Sequence, residues 1–296
     1  MKILISGGSG LLGSKISEKA LEEGYDVYSG YNTNEAKFGV PIKLDVCQKS
    51  SSSRILSEVG PEVVIHSAAL TNVDKCEEDT ALAWKVNVEG TKNIAELSRM
   101  HKCFLIYVST DYVFSGEKGL YKEGDDPNPV NYYGATKLEG EKIVKAIAEE
   151  WCIARSSVIY GSTPAAGKTN FALWVLENLN KQKHINIITD QYVSPTLNTN
   201  LAEMILEVAK RRLSGIYHLA GATSLNRYDF TERIAETFHL DKNLIKPAKS
   251  EDMKWKAKRP RDTSLNVEKA LKKLRNKPLE ITEALKQLKM EIKGGK

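Results

Sequence analysis

The sequence predicts an α/β fold in which helices cover both faces of a parallel sheet. Short apolar runs alternate with stretches of helical spacing through the first half of the chain, which is the pattern of consecutive βαβ units. A glycine-rich turn follows the first apolar run and opens the first helical stretch. The 296 residues, 41% of them hydrophobic, are enough to fill the core of one large unit or of two domains that share an interface.

The elements can be placed in order along the chain. Apolar runs predict strands at 2–6, 25–29, 41–45, 62–66, 103–109, 152–157, 185–188 and 215–220. Helical spacing predicts helices near 14–23, 48–59, 80–101, 131–149 and 170–182. The alternation weakens after Gly161, so we predict a doubly wound sheet domain at 1–164 and a smaller substrate-binding region at 165–296, with residues 190–215 returning to the first domain.

Several classes of protein are excluded by the composition. No run of about 18 apolar residues occurs, and Met1-Lys2 leads directly into the first strand, so we expect a cytoplasmic protein without a membrane partner. Neither a disulfide framework nor a metal site is expected, because the four cysteines have irregular spacing and the five histidines do not cluster with them. These cysteines are Cys47, Cys76, Cys103 and Cys152.

The net charge of +5 is unevenly distributed, since residues 241–296 hold 17 basic against 8 acidic residues. Such a surplus is compatible with nucleic-acid binding, with an anionic substrate, or with a solvated lysine-rich surface. Lysine is mixed with glutamate and no helix-turn-helix pattern occurs, so we expect no nucleic-acid partner. Residues 161–169 resemble a phosphate-binding P-loop, but the spacing of their glycines is one residue too long.

The glycine-rich turn has the spacing of a dinucleotide-binding site. Gly7, Gly10 and Gly13 recur every three residues between the first strand and the first helix. In this pattern glycines allow a tight turn, let backbone N–H groups approach a pyrophosphate, and let the helix pack on the strand. The sequence therefore predicts a Rossmann-type domain that binds NAD(P), with Leu11 and Leu12 also at the pyrophosphate.

The end of the second strand bears on the choice of cofactor. An NAD site usually places Asp or Glu there for the ribose hydroxyls, whereas this chain reads Gly-Tyr-Asn-Thr. Asn32 and Thr33, with Lys37 nearby, tolerate a 2′-phosphate, so we expect NADPH, with NADH possible. Asp45 and Val46 end the third strand and are expected at the adenine, although a solvated strand-end carboxylate has the same appearance.

Small residues close the fourth strand. Ala68, Ala69 and Leu70 follow it and are expected to form a wall of the cofactor site, because small side chains let the backbone approach a ribose or nicotinamide. Plain packing at a strand end is the alternative.

A Tyr-x-x-x-Lys pair supplies the candidate catalytic groups. Tyr133 and Lys137 share one face of a predicted helix, and a nearby ammonium is expected to lower the pKa of the phenol and make it a proton donor and acceptor. Ser109 and Thr110 end the fifth strand at the same edge of the sheet, where Thr110 can bind the substrate oxygen and Ser109 the cofactor. Lys137 can also hold the nicotinamide ribose. Asn87 is expected to complete a proton relay beside the cofactor or, alternatively, to have a structural role.

The motifs together resemble the extended short-chain dehydrogenases and, within them, the dTDP-4-dehydrorhamnose reductases. The resemblance rests on GGSGLLG, HSAALTNVDKCE, STDYVF, NPVNYYGATKLEGE, DQYVSPT and KRPRDTSL, which together span most of the chain. It implies that Thr110, Tyr133 and Lys137 form the catalytic set. It also implies NAD(P)H-dependent reduction of the C4 ketone of dTDP-4-dehydro-L-rhamnose. The residues it places at the nucleotide sugar are Thr71, Asp111, Tyr112, Gln191 and Arg259.

Two features keep other functions open. The family carries a Trp at the position of Val158, so the sugar pocket differs here. The chain is also similar to the regulatory β subunit of methionine adenosyltransferase, which implies an NADP-binding partner protein without turnover. A nucleotide-sugar epimerase or dehydratase is a third alternative. The helices near 80–101 and 131–149 often pair subunits in the resembled family, which implies a homodimer.

Overall fold

A seven-stranded parallel sheet forms the centre of the protein, whose computed structural model describes residues 1–164 and 169–294. The strands in spatial order are β11 (Gly215–His218), β6 (Trp151–Ser156), β5 (Phe104–Thr110), β4 (Val63–His66), β1 (Lys2–Ser6), β2 (Asp26–Tyr31) and β3 (Val40–Lys43). The strands that follow β1 lie on one side of it, and the strands that follow β4 lie on the other side. A crevice therefore opens between the carboxyl ends of β1 and β4, where ligands of such sheets bind.

Helices cover both faces of this sheet. They are α1 (Leu11–Glu22), α2 (Lys49–Val59), α3 (Val73–Glu78), α4 (Thr80–Trp84), a π-helical turn (Lys85–Glu89), α5 (Gly90–Met100), α6 (Tyr132–Ile147) and α8 (Asn198–Arg211). Side chains alternate along each strand, so Ile3 and Ile5 pack under α1 and α8 while Leu4 packs under α2, α5 and α6. Residues 198–218 thus add a helix and the last strand to the sheet.

A second hydrophobic core lies in the C-terminal region. It packs α7 (Phe171–Asn180), α9 (Arg227–Phe238) and α11 (Ile281–Gly294) around buried residues such as Leu179, Phe230 and Leu285. Three two-stranded sheets connect the region: β7 (Ile159–Tyr160) with β10 (Thr196–Leu197), β8 (Ile185–Ile188) with β13 (Ile245–Ala248), and β9 (Tyr192–Val193) with β12 (Leu225–Asn226). Short helices lie at Asp111–Val113, Lys242–Leu244, Ser250–Asp252 and α10 (Glu268–Lys273).

The predicted α/β class and parallel Rossmann-type sheet are confirmed, and the differences concern element ends and one interrupted helix. The first helix begins at Leu11 rather than 14, since Gly10 serves as its N-cap without a side-chain hydrogen bond. The helix predicted at 80–101 is interrupted by the π-helical turn. The last central strand ends at His218, two residues early.

Part of two sequence predictions lies outside the described residues. The structure does not describe residues 165–168. This stretch begins at the predicted domain boundary, 164/165, and contains the glycine and the lysine of the P-loop-like segment. Within the part of the chain that it does describe, no helix is both long and apolar enough to cross a membrane.

Candidate active site

The glycine-rich turn brings the end of β1 against the end of β4. Gly7 adopts a φ of +73°, and a Cβ there would lie 2.8 Å from the backbone nitrogen of Ala68. A Cβ on Gly13 would collide with the carbonyl oxygen of Gly7. Gly10 closes the turn by donating its N–H to the same carbonyl at 2.9 Å. Side chains at Gly7 and Gly13 would therefore displace the backbone that forms the crevice.

The N-terminus of α1 presents unsatisfied donors to this crevice. No side chain caps the helix, and its first turn contains no acidic residue. The first N–H groups of a helix have no partner within it, and the helix dipole adds positive potential there. Leu11 and Leu12 occupy the first two positions. The turn and helix end therefore fit the pyrophosphate of a dinucleotide.

The predicted wall of the cofactor site is held from behind by Asn87. Its side chain accepts the N–H of Leu70 at 2.8 Å and donates to the Leu70 carbonyl at 3.2 Å and to the Thr136 hydroxyl at 3.0 Å. Ala68 and Ala69 precede Leu70 on this segment and are half-buried. Asn87 lies in the π-helical turn and is 1% exposed, so in this arrangement it positions the wall.

Further predicted cofactor residues lie at the edge formed by β2 and β3. Asn32 and Thr33 follow β2 and are exposed. Asp45 accepts the N–H of Cys47 at 3.0 Å, which commits one carboxylate oxygen to a turn. Val46 is buried, and its carbonyl accepts from Asn93 at 3.0 Å.

Tyr133 and Thr110 meet at the carboxyl end of β5. The Thr110 hydroxyl beside Tyr133 lowers the pKa of this phenol, but burial is the larger effect, so the pKa lies above its usual value. The Thr110 hydroxyl also donates to Asp111 at 2.9 Å. Burial therefore keeps Tyr133 protonated at neutral pH.

Lys137 lies one turn further along α6 and points to β5. Its Nζ donates to the Val108 carbonyl at 2.8 Å and lies 4.1 Å from the ring centroid of Tyr107. Burial lowers the pKa of Lys137 to about 7, against the opposing effect of Glu141. The predicted lowering of the Tyr133 pKa by this ammonium is wrong for this structure, because the contacts of Lys137 run to Val108 and Tyr107 and desolvation dominates at the phenol.

Asp111 lies beneath this site rather than on its surface. The carboxylate is 2% exposed and accepts hydroxyls from Thr110, from Ser157 at 2.8 Å and from Thr263 at 2.6 Å. Burial raises the pKa of Asp111, while the three hydroxyls lower it. The observed contacts thus give Asp111 the role of positioning Thr110.

A buried ion pair supports the same edge, and the sequence analysis did not identify it. Arg155 on β6 binds Glu141 on α6 with two hydrogen bonds of 2.8 and 2.7 Å. Ser109 donates its hydroxyl to Glu141 at 2.7 Å, so its side chain faces the ion pair. These hydrogen bonds connect β5, β6 and α6 next to Lys137.

A cavity of about 330 Å³ adjoins the predicted catalytic residues. Tyr112 lines it and packs edge-on against Tyr133, with ring centroids 6.0 Å apart. Gln191, 2% exposed, donates to the Tyr112 hydroxyl at 3.3 Å. Arg259 also lines the cavity. The remaining lining residues are Phe171, Trp174, Asn186, Ile187, Ile188, Arg227, Met253 and Trp255.

Arg227 is a cavity residue that the sequence analysis missed. Its Nε donates to Gln191 at 3.1 Å, and its guanidinium lies 5.1 Å from the ring centroid of Phe171. Burial lowers the pKa of Arg227, although a guanidinium stays charged in proteins. The only available sequence signal was an Asn-Arg pair at the start of α9, which many helices share.

Arg259 belongs to a loop that is fastened to α3. Its Nη2 binds Asp74 at 2.9 Å, and Asp74 also accepts the N–H groups of Lys256 and Ala257. Asn131, the N-cap of α6, donates to the Lys258 carbonyl at 2.9 Å. The loop that lines one side of the cavity is thus attached to the sheet domain.

Two predicted substrate positions differ in setting. Thr71 is exposed on the loop after β4, next to the cofactor wall. Val158 is half-buried between β6 and β7 with a φ of +35°, which is unusual for a β-branched residue. Its carbonyl accepts the Thr196 N–H at 3.1 Å.

One family model matches almost the whole chain, and the similar proteins include reductases and a regulatory subunit. A family model described as the RmlD substrate binding domain matches residues 1–293. The probable low-salt glycan biosynthesis reductase Agl14 of Haloferax volcanii is 34% identical over 273 residues, which cover 90% of each chain. Methionine adenosyltransferase 2 subunit beta of Xenopus tropicalis is 31% identical and matches over 84% of this chain and 76% of its own. The crystal structure of dTDP-4-dehydrorhamnose reductase from Bacillus anthracis in complex with NADP covers 98% of this chain and 99% of its own, with 29% identity and a TM-score of 0.89.

Proposed function

The chain belongs to the RmlD substrate-binding family, and from this membership we propose that it is an NADPH-dependent reductase of the 4-keto group of a nucleotide-linked deoxysugar. The first substrate to test is dTDP-4-dehydro-L-rhamnose. The observation that carries the proposal is that Tyr133 lies beside Thr110, at the carboxyl end of β5, and packs against Tyr112, which lines a cavity together with two arginines.

The residues of the crevice fit a dinucleotide. Gly7 and Gly10 would leave room for the pyrophosphate, and the backbone of Leu11 and Leu12 would bind it. Ala68 to Leu70 would form the wall, with Lys137 at the nicotinamide ribose. When bound, the reduced nicotinamide supplies the hydride.

Tyr133 supplies the proton in this proposal. The phenol carries its proton at neutral pH, as a free tyrosine does, and can donate it to an alkoxide oxygen that develops from a ketone, although the pKa raised by burial makes it a weaker acid. To hydrogen-bond that oxygen, Thr110 would turn its single O–H away from Asp111, to which it donates in this structure. The pKa of Lys137, lowered to about 7, allows this side chain to exchange a proton near neutrality.

The cavity supports an anionic, partly planar substrate. Among the described residues that line it there is no carboxylate, whereas Arg227 and Arg259 provide two guanidinium groups. Arginine suits phosphate oxygens, and aromatic side chains such as Phe171 and Trp255 offer faces on which a base can stack. A nucleoside diphosphate sugar has both parts.

A non-catalytic regulatory subunit is the second candidate, favoured by the 31% identity to methionine adenosyltransferase 2 subunit beta. That function predicts a stable complex with a catalytic partner and no consumption of NADPH. An epimerase is less well supported, because the end of β2 lacks the acidic residue usual for tightly held NAD.

A substrate-dependent assay separates these functions. We expect loss of NADPH absorbance on addition of dTDP-4-dehydro-L-rhamnose. The Tyr133→Phe variant is expected to lose roughly 10²- to 10⁴-fold in turnover while it retains NADPH binding, because only a proton donor is removed. Tyr132→Phe on the same helix is the matched control. Full turnover by Tyr133→Phe would refute the assigned role. Absence of turnover in a parent protein that binds NADPH would favour the regulatory subunit or a different keto-sugar.

We also propose a homodimer. Leu82 and Trp84 on α4 are 38% and 42% exposed and provide apolar surface beside α6. Light scattering on the purified protein measures the mass directly, and a monomeric mass across the micromolar range would contradict the proposal.

A further inference from the structure

Lys43 lies at the outer edge of the sheet, beside the residues that follow β2. Lys43 ends β3 and lies opposite Tyr31, the last residue of β2, in the register of the two strands. Its Nζ donates to the carbonyl of Asn32 and lies 5.6 Å from the ring centroid of Tyr31. A carbonyl and an aromatic face thus hold this ammonium at the residue that follows β2.

This position is the one where a Rossmann-type site meets the adenosine ribose. The ribose hydroxyls of a dinucleotide are bound at the carboxyl end of β2, where carboxylates select NAD and cations accommodate a 2′-phosphate. Residues 30–33 contain no carboxylate, so nothing within them would repel a phosphate. Lys37 is the other lysine of this stretch and is exposed on the loop that connects β2 with β3.

Lys43 is exposed, and two contacts restrain its side chain. An ammonium group has three N–H donors, and the Asn32 carbonyl takes one of them. Attraction to the ring of Tyr31 further restricts the side chain, so less conformational entropy is lost when a ligand binds. The remaining donors and the full positive charge are available to an anion beside Asn32.

We infer that Lys43 recognises the 2′-phosphate of NADP and selects NADPH over NADH. This side chain belongs to the neighbouring strand β3 and not to the loop after β2. The inference rests on the proposed preference for NADPH. It assigns that preference to one side chain, which a binding experiment can test without any sugar substrate.

The test uses two small probes, adenosine 2′,5′-bisphosphate and adenosine 5′-monophosphate, titrated calorimetrically into the full-length protein. The parent protein is expected to bind the bisphosphate more tightly. Lys43→Met keeps the aliphatic chain and removes the charge, so it is expected to weaken bisphosphate binding roughly ten- to a hundred-fold with little effect on the monophosphate. Lys43→Arg keeps the charge and is expected to keep the preference.

Lys37→Met tests the rival assignment, since Lys37 was the lysine expected near the 2′-phosphate and its replacement removes the same charge from the adjacent loop. Equal affinity of the parent protein for both probes would contradict the choice of NADPH itself. A preference that survives in Lys43→Met would overturn the inference and leave the proposed reductase standing, and its loss in Lys37→Met instead would assign the 2′-phosphate to Lys37. Added salt offers a second readout, because the salt dependence of bisphosphate binding should be smaller in Lys43→Met than in the parent.

Discussion

Replacing Glu141 by glutamine removes the negative charge from an ion pair whose side chains are 1% and 0% exposed. Glutamine keeps the shape of the side chain and can still accept from Ser109, but the Arg155 guanidinium then remains buried without a counter-charge. Breaking a buried pair in this way costs about 3–5 kcal/mol, because the remaining charge is poorly solvated. We expect the free energy of unfolding to fall by that amount.

Urea unfolding followed by circular dichroism measures the change, with the denaturant dependence of parent and variant compared. Glu139→Gln is the matched control, since Glu139 lies on the same helix and pairs with Lys142 at the surface, where such pairs contribute about 1 kcal/mol or less. Replacing both Glu141 and Arg155 by methionine should cost less than the sum of the single replacements, because no charge is left unpaired. A loss below about 1 kcal/mol in Glu141→Gln, or strict additivity in the double variant, would refute the reasoning.

Two further predictions concern stability. Burial, with a further contribution from Arg155, lowers the pKa of His218 to about 3. Between about pH 6.5 and pH 3 the unfolded chain therefore binds a proton that the folded protein does not bind. The free energy of unfolding decreases as the pH falls through this window. His218→Gln should reduce the slope of unfolding free energy against pH by up to about 1.4 kcal/mol per pH unit between pH 4.5 and 6, and an unchanged slope would contradict this. Leu120 is 57% exposed with a φ of +44°, so Leu120→Gly should stabilise the protein by roughly 0.5–1 kcal/mol in urea unfolding, whereas Leu21→Gly within α1 should destabilise it by about 1 kcal/mol. Destabilisation by Leu120→Gly would show that the left-handed backbone carries no strain.

The fold was predictable because its signals are local. Strands β1, β4 and β5 at the centre of the sheet are short apolar runs, and the glycines of the first turn mark the crevice without reference to distant residues. The resemblance to a reductase family, which rested on several long motifs, is confirmed at the level of the family. The start of α1 was placed late because Gly10 caps it without a side-chain signal, and the π-helical turn leaves no mark in the spacing.

The site was less predictable where distant segments meet. Thr263, which binds Asp111, is 152 residues away from it, and Arg227 enters the cavity from a helix that carries no motif. The direction of the Tyr133 pKa depends on how completely the fold removes water from the phenol, and residue spacing does not encode that quantity. Lys43 was missed for a similar reason, since only strand pairing brings it to Asn32.

The attachment of the cavity loop to α3 has a consequence for protein engineering. Segment 253–259 forms one side of the cavity, yet its shape is set by Asp74 and Asn131, which lie far away in sequence. A loop transplanted from a relative to change ligand choice would bring new side chains but not the acceptors that hold its backbone. A successful exchange therefore requires that the residues at positions 74 and 131 match the new loop. Asp74 and Asn131 stay if the loop backbone binds them, and otherwise they are exchanged together with the loop.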